Sequence, residues 1–331
     1  MLVNLFTGYC PKEIYGLSRY DLNLLTNLSA RNNLVCMNRI FLPFDVIRYN
    51  FIKSPIADIN HVTNETFAYA LKGIKGKKII TIHDLAVLTL KYEYPYLQRK
   101  FYYYIASNIK LANHIIAISN FTKNQIKDIF KIDDEKISVI YHGVESKFLS
   151  EPKVLHQKRK YNLIYVGNEK THKNFIQVLE VMNLLKKYGA FKLIKIGKPQ
   201  SQNRGTHLQY VDKNKLDVDF LDYLDETELI NKYRQSDIFI TMSDYEGFCF
   251  PVLEAAASGI PLVLKDNSTL REIYGKAAIF VNSPQEAVEN ILTLLSSENK
   301  YKIYAKKAND LAKSFTWKKC VNEVEKVYQM I

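Results

Sequence analysis

The residues best placed to do chemistry lie in SDYEGFCFPVLEAAASG, residues 243–259. Pro251 suits the first turn of a helix, where its missing N–H costs nothing, and Gly259 suits the stop, so the spacing predicts a helix over residues 251–258. The backbone N–H groups of Phe248, Cys249 and Phe250 would then form a positive helix start suited to a phosphate. Glu246 precedes that start and Glu254 lies eight positions later, inside the helix. One carboxylate can approach a sugar carried on the phosphate, while the other, a turn deeper, accepts hydrogen bonds from ribose hydroxyls. A solvated loop glutamate and a helix-capping glutamate fit the same spacing, which leaves both readings open.

Such a turn has to be held by strands and helices. Short β-branched runs alternate with segments of helical period, the pattern of βαβ units around parallel sheets. One series of strands comprises residues 1–6, 34–37, 77–84, 114–119 and 136–141; helices are expected at 17–28, 95–112 and 120–130, the last capped by Ser119. A second series comprises 161–167, 191–197, 217–224, 237–243, 260–265 and 277–281. Its helix over 174–187 sets Phe175, Val178, Leu179, Met182 and Leu185 on one face. The polar stretch 142–160 reads as a linker, and the chain from residue 284 onward is helical in pattern, with Trp317 its single tryptophan. The expected fold class is α/β, two Rossmann-like domains with parallel sheets, where ligands bind beyond the carboxyl ends of the strands.

Composition narrows the function classes. With 331 residues, 47% of them apolar and 24% charged, the chain suits two folded domains. No run approaches the roughly 18 apolar residues of a membrane span, and the start lacks the pattern of a secretory signal. Four scattered cysteines suggest neither a zinc site nor a disulfide framework, so a cytoplasmic protein is expected. The net charge of +12, with +7 before residue 150 and +5 after it, favours an anionic partner: nucleic acid, an acidic membrane face or a phosphorylated substrate. The segment 91–110, KYEYPYLQRKFYYYIASNIK, fits peripheral membrane contact, an acceptor glycan stacked on tyrosines, or an ordinary packed helix. The lysines of 72–78 fit a membrane surface or a solvated loop. No dinucleotide fingerprint or P-loop is present, which argues against a nicotinamide enzyme and a kinase. The acidic triplet at 217–219 imitates a metal-binding D-x-D, but it runs straight into a predicted strand and is set aside.

The E-x7-E pattern in EGFCFPVLEAAASGIPLV resembles the signature of retaining family-4 glycosyltransferases. ITIHDL (80–85), HIIAISNFTKNQI (114–126), KISVIYHGVESKF (136–148), YVGNEKTHKNF (165–175), residues 220–243 and STLREIYGKAAIFV (268–281) match further family segments in order. The resemblance implies the GT-B fold, two Rossmann-like domains facing a central cleft: an acceptor domain over 1–155, a nucleotide-sugar domain over 156–312, and a C-terminal helix, 313–331, crossing back to the first. It implies that Glu246 lies beside the donor sugar, that Glu254 holds the ribose, and that Lys173 neutralises the diphosphate. Members often carry Arg-Lys-Asn at that turn; here His172 replaces the arginine, which leaves open whether it or another basic residue supplies the second charge. Gly16 is retained from a glycine-rich phosphate turn, His83 matches a histidine near the sugar, and Leu221, Tyr223 and Leu224 match the base pocket.

The activity so implied is hexose transfer, with retention, from a nucleotide diphosphate sugar of the GDP-mannose or UDP-glucose type to a glycan, lipid or other hydroxyl acceptor. No metal or other cofactor is expected, and no nucleic acid. The alternatives are a catalytically weak or inactive sugar-nucleotide-binding protein of the same fold, signalled by the eroded glycine turn, and a basic nucleic-acid-binding protein.

Overall fold

The computed structural model describes residues 1–8, 17–37, 55–157, 160–199 and 201–331. The chain forms two units, Met1–Gly143 with Trp317–Ile331, and Val144–Thr316. Each is built on a six-stranded sheet in which every pairing is parallel.

The first unit contains β1 (Leu2–Thr7), α1 (Leu17–Asn27), β2 (Arg31–Cys36), β3 (Ile59–Val62), β4 (Lys77–Ile82) and the short α2 (Ala86–Thr89). It continues with α3 (Tyr96–Ala106), β5 (His114–Ala117), α4 (Asn120–Phe130) and β6 (Ile137–Val139). The strand order is β2-β1-β3-β4-β5-β6. Ser119 caps α4 as expected, its side chain accepting from the Thr122 N–H. Strand β3 was not legible in the sequence, because INHV carries Asn60 and His61 at buried positions. Both are satisfied by hydrogen bonds: Asn60 Oδ1 accepts from Asn4 Nδ2 at 3.0 Å, and His61 joins Thr81 Oγ1 at 2.8 Å to the Tyr328 hydroxyl at 2.7 Å. Tyr328 belongs to the last helix, Trp317–Met330, which packs within this unit; Ser29 Oγ also donates to Glu325 of that helix at 2.6 Å.

The second unit contains β7 (Lys160–Val166), α5 (Phe175–Leu185), β8 (Ala190–Ile196), α6 (Ser201–Asn214), β9 (Val218–Leu221), α7 (Glu226–Gln235) and β10 (Ile238–Thr241). After these come α8 (Phe250–Ala257), β11 (Leu262–Lys265), α9 (Ser268–Tyr274), β12 (Ile279–Val281), α10 (Pro284–Leu295) and α11 (Glu298–Lys313). Its sheet order, β12-β11-β10-β7-β8-β9, is that of a doubly wound nucleotide-binding fold. The predicted face of α5 is buried: Phe175, Val178, Leu179, Met182 and Leu185 all join the core, at about 1.5–3 kcal/mol for each large side chain.

The unit boundaries lie at Gly143/Val144, upstream of the expected residue 155, and at Thr316/Trp317, close to the expected residue 312. The polar stretch read as a linker is anchored by its backbone instead. Ser150 N donates to Ala257 O at 3.0 Å, Lys153 N donates to Gly259 O at 2.8 Å, and Phe148 is buried against the Tyr233 ring. Gly259 itself ends α8 in a left-handed conformation, φ +71°, where a Cβ would stand 2.6 Å from Glu151 O.

Candidate active site

In the second unit the strand order reverses between β7 and β10. Open parallel sheets bind ligands at such a point, beyond the carboxyl ends of the strands, and two turns meet there. The turn after β7 is set by Tyr165, whose hydroxyl donates to Asn168 O at 2.9 Å, and by Asn174, whose left-handed backbone (φ 51°) starts α5. The turn after β10 is tied to it: Asp244 N donates to His172 O at 2.9 Å. Asn267 Nδ2 donates to Ser243 O at 2.7 Å, and Thr269 Oγ1 donates to Glu246 O at 2.7 Å. Across the two turns Lys173 Nζ donates to Glu246 Oε2 at 2.7 Å, with the carboxylate side chain 6% exposed and the lysine 21%.

Helix α8 follows with Pro251 in its first turn, as the sequence predicted. Cys249 precedes it with φ 70°, and burial, reinforced by the Glu246 charge, pushes its thiol pKa well up, so the thiol stays protonated. Its carbonyl accepts from the Tyr274 hydroxyl at 3.1 Å. Phe248 is buried, with its ring 5.5 Å from that of Phe250. Within α8 the buried Glu254 accepts from the Tyr233 hydroxyl at 2.8 Å. Lys173, Glu246, Glu254 and the 248–250 helix start thus belong to one connected structure. His172 is buried edge-on to the Tyr245 ring, at 6.2 Å between centroids. Tyr223 follows β9 and is 58% exposed. Asp217 and Asp219 lie at the amino end of β9, the opposite end of the strand, and each is paired with a lysine, Lys160 and Lys192.

The anchor of the 167–174 turn was missed in the sequence. Glu169 and Lys195 are both fully buried and paired at 2.8 Å, and Lys195 Nζ also donates to Gly197 O at 2.5 Å. Arg204 Nη1 reaches the same Glu169 oxygen at 2.7 Å, His207 Nδ1 lies 3.3 Å from the other, and Asn203 Nδ2 donates to Glu169 O at 2.7 Å. The signal available was Lys195 itself, a charge inside the apolar run FKLIKIG, because a strand covered on both faces rarely carries one unpaired.

In the first unit Gly16 lies outside the described residues. His83 follows β4 and is buried. Its Nε2 lies 2.9 Å from Thr63 O, an acceptor, so Nε2 carries the proton and Nδ1 accepts from His142 Nε2 at 3.2 Å. The two imidazoles are stacked, 5.2 Å between centroids. Burial lowers the His83 pKa to about 4 and that of His61 to about 3. The His83 N–H donates to Glu65 Oε2 at 2.9 Å; burial first, then the Asp84 charge, raises the Glu65 pKa to about 8. Asp84 Oδ1 accepts from Ala86 N at 2.9 Å, at the start of α2. Thr63 and His142 therefore fix the His83 ring.

The family description "Glycosyl transferases group 1" matches residues 146–311, and "Glycosyltransferase Family 4" matches residues 30–148. The chain belongs to the family-4 glycosyltransferases. Its relatives include Escherichia coli O-antigen chain mannosyltransferase B, 23% identical over 280 residues that cover 77% of this chain and 71% of the relative. O-antigen chain mannosyltransferase RfbU of Salmonella typhimurium is 28% identical over 237 residues, 68% of this chain and 64% of that protein. Among solved structures, sucrose-phosphate synthase from Thermosynechococcus elongatus superposes with a TM-score of 0.81 at 14% identity, covering 99% of this chain and 98% of that one. Anabaena HepE in complex with UDP-glucose does so with a TM-score of 0.78 at 13% identity, over the whole of both chains. The glycosyltransferase thus has the two parallel-sheet units of the GT-B fold.

Proposed function

We propose that this glycosyltransferase moves a hexose, with retention of anomeric configuration, from a nucleotide diphosphate sugar to the hydroxyl of a glycan or lipid-linked acceptor. The observation that carries the reading is the Lys173–Glu246 pair at the strand-order reversal, with Glu254 inside the helix that starts beside it. In this reading the second unit holds the donor and the first carries the acceptor. The diphosphate lies against Lys173 and the α8 start, and the ribose hydroxyls donate to Glu254. The leaving diphosphate gains negative charge as the glycosidic bond breaks, and a preorganised cation stabilises that charge most where water is excluded. The acceptor attacks from the face the diphosphate leaves, and a donor phosphate oxygen takes the acceptor proton. Glu246 positions and stabilises the sugar. His83, neutral, with its Nε2 proton on Thr63 O and its Nδ1 accepting from His142, is held in a fixed orientation and transfers no proton.

Lys173 and the helix start supply the countercharge, so the reading needs no metal, and Asp217 and Asp219 are placed and paired for structure. GDP-mannose is the favoured donor, supported by the two mannosyltransferase relatives; UDP-glucose is the second reading, supported by the fold shared with a UDP-glucose complex. A thermal-shift screen against GDP, UDP, ADP and their sugars tests both. One nucleotide should raise the melting temperature, by about 2.7 kcal/mol of added stability at a hundredfold excess over Kd. Lys173→Met and Glu254→Gln should each lose most of that gain. If no nucleotide shifts the melt, or the shift survives both substitutions, the site assignment is overturned.

A further inference from the structure

An amphipathic helix on the surface of a folded unit normally turns polar residues outward. Helix α3 turns large apolar residues outward as well as inward. Phe101, Tyr102, Ile105 and Ala106 pack on the core of the first unit, while Tyr96, Lys100 and Tyr103 on one seam and Leu97 and Tyr104 on the next face outward. With Tyr92 before the helix and Leu111 after it, six large apolar or aromatic side chains within twenty residues are 44–77% exposed. The charges in the two neighbouring chain segments are almost all positive. Residues 91–111 hold Lys91, Arg99, Lys100 and Lys110 against Glu93, and residues 72–78 add four lysines and no carboxylate. Two of these lysines sit on the exposed rings: Lys100 Nζ is 4.7 Å from the centroid of Tyr96, and Lys72 Nζ is 4.8 Å from that of Tyr104 while donating to its hydroxyl at 3.2 Å. Beside them a cavity of about 250 Å³ is lined by Leu88, Tyr96, Arg99, Lys100, Tyr103 and Ile129. The Arg99 Nε is buried there without a hydrogen-bond acceptor among the described residues.

We infer that this face docks on the surface of an anionic phospholipid bilayer. Tyrosine rings and Leu97 would enter the headgroup layer, lysines would reach toward lipid phosphates, and a phosphate would enter the cavity to meet Arg99 and Lys100. The combination decides the occupant. Exposed apolar rings alone would suit a protein partner, but a second copy of this face would bring like charges together. A bilayer supplies both an apolar layer and a dense negative surface. No helix among the described residues is long and apolar enough to cross a membrane, so this is attachment along one face.

The test is co-sedimentation of the full chain with phosphatidylcholine vesicles, pure or doped with phosphatidylglycerol. Wild type should sediment with the doped vesicles, stay in solution with the pure ones, and be released by salt. Arg99→Gln combined with Lys100→Gln should weaken the partition about thirty-fold, and Leu97→Asn several-fold. Unchanged melting curves and unchanged nucleotide thermal shifts would show that the variants are folded and that the donor site is untouched. The inference fails if wild type stays in solution with both vesicles, if it binds both equally, or if the double variant binds like wild type. It also fails if a soluble anionic glycan captures the protein while neither vesicle does, an outcome that would mark the face as an acceptor site.

Discussion

Lys195→Met isolates the buried charge network behind the donor turn. Methionine fills nearly the same space, so little cavity is left, and the effect is electrostatic. Glu169 loses the cation at 2.8 Å, and Gly197 O loses its donor at 2.5 Å. Removing one partner of a buried ion pair typically costs about 3–5 kcal/mol. Arg204 stays on the same oxygen at 2.7 Å, which places the expected loss at the lower end, about 3 kcal/mol. With a urea slope of about 1–3 kcal/mol per molar, the second unit should unfold at least 1 M earlier by far-ultraviolet circular dichroism. Lys195→Met combined with Glu169→Gln removes both charges and should recover at least half of the loss. The single variant should also bind nucleotide more weakly, because the 167–174 turn presents Lys173. A single variant as stable as wild type, or a double variant no better than the single, would refute the anchoring role of the network.

Gly197→Ala should cost well over 1 kcal/mol, since φ is +129° and the new Cβ would stand 2.4 Å from Gly167 O; a wild-type melting curve would contradict the close approach of the two strand ends. In the first unit, Glu65 has a pKa raised to about 8, so its protonated form stabilises the fold and that contribution is lost as pH rises through 8. Stability read from the fluorescence of Trp317, buried beside His142, should fall by up to about 2 kcal/mol between pH 6.5 and 8. Glu65→Gln should abolish that slope, and a slope that persists would place its cause elsewhere. Tyr233→Phe removes the hydroxyl at 2.8 Å from Glu254 and should weaken nucleotide binding several-fold in the thermal-shift assay; full binding would show that Glu254 is oriented without it.

Much of the fold was legible because parallel strands covered on both faces read as apolar runs, and helices such as α5 carried an unbroken apolar face. What escaped was structure stabilised by polar groups. Strand β3 is short and half polar, and its fitness for the interior depends on Asn4, Thr81 and Tyr328, far away in sequence. Glu169 and Arg204 look like ordinary surface charges until the fold brings them to Lys195. The turn geometry at Pro251 and Gly259 and the family resemblance both pointed to Glu246 and Glu254, whereas only the resemblance pointed to Lys173, which the structure sets beside Glu246. The boundary at Val144 was obscured because the 144–157 segment, polar in type, is anchored by backbone hydrogen bonds together with single side chains such as Lys153 and Phe148, which form no periodic pattern.

The most direct test of the proposed activity is release of nucleoside diphosphate from the sugar nucleotide that raises the melting temperature, measured with glycolipid acceptors for wild type, Lys173→Met and Glu246→Gln. The proposed roles predict turnover by wild type and at least a tenfold loss in each variant, with folding unchanged by circular dichroism. Wild-type turnover in both variants would contradict them.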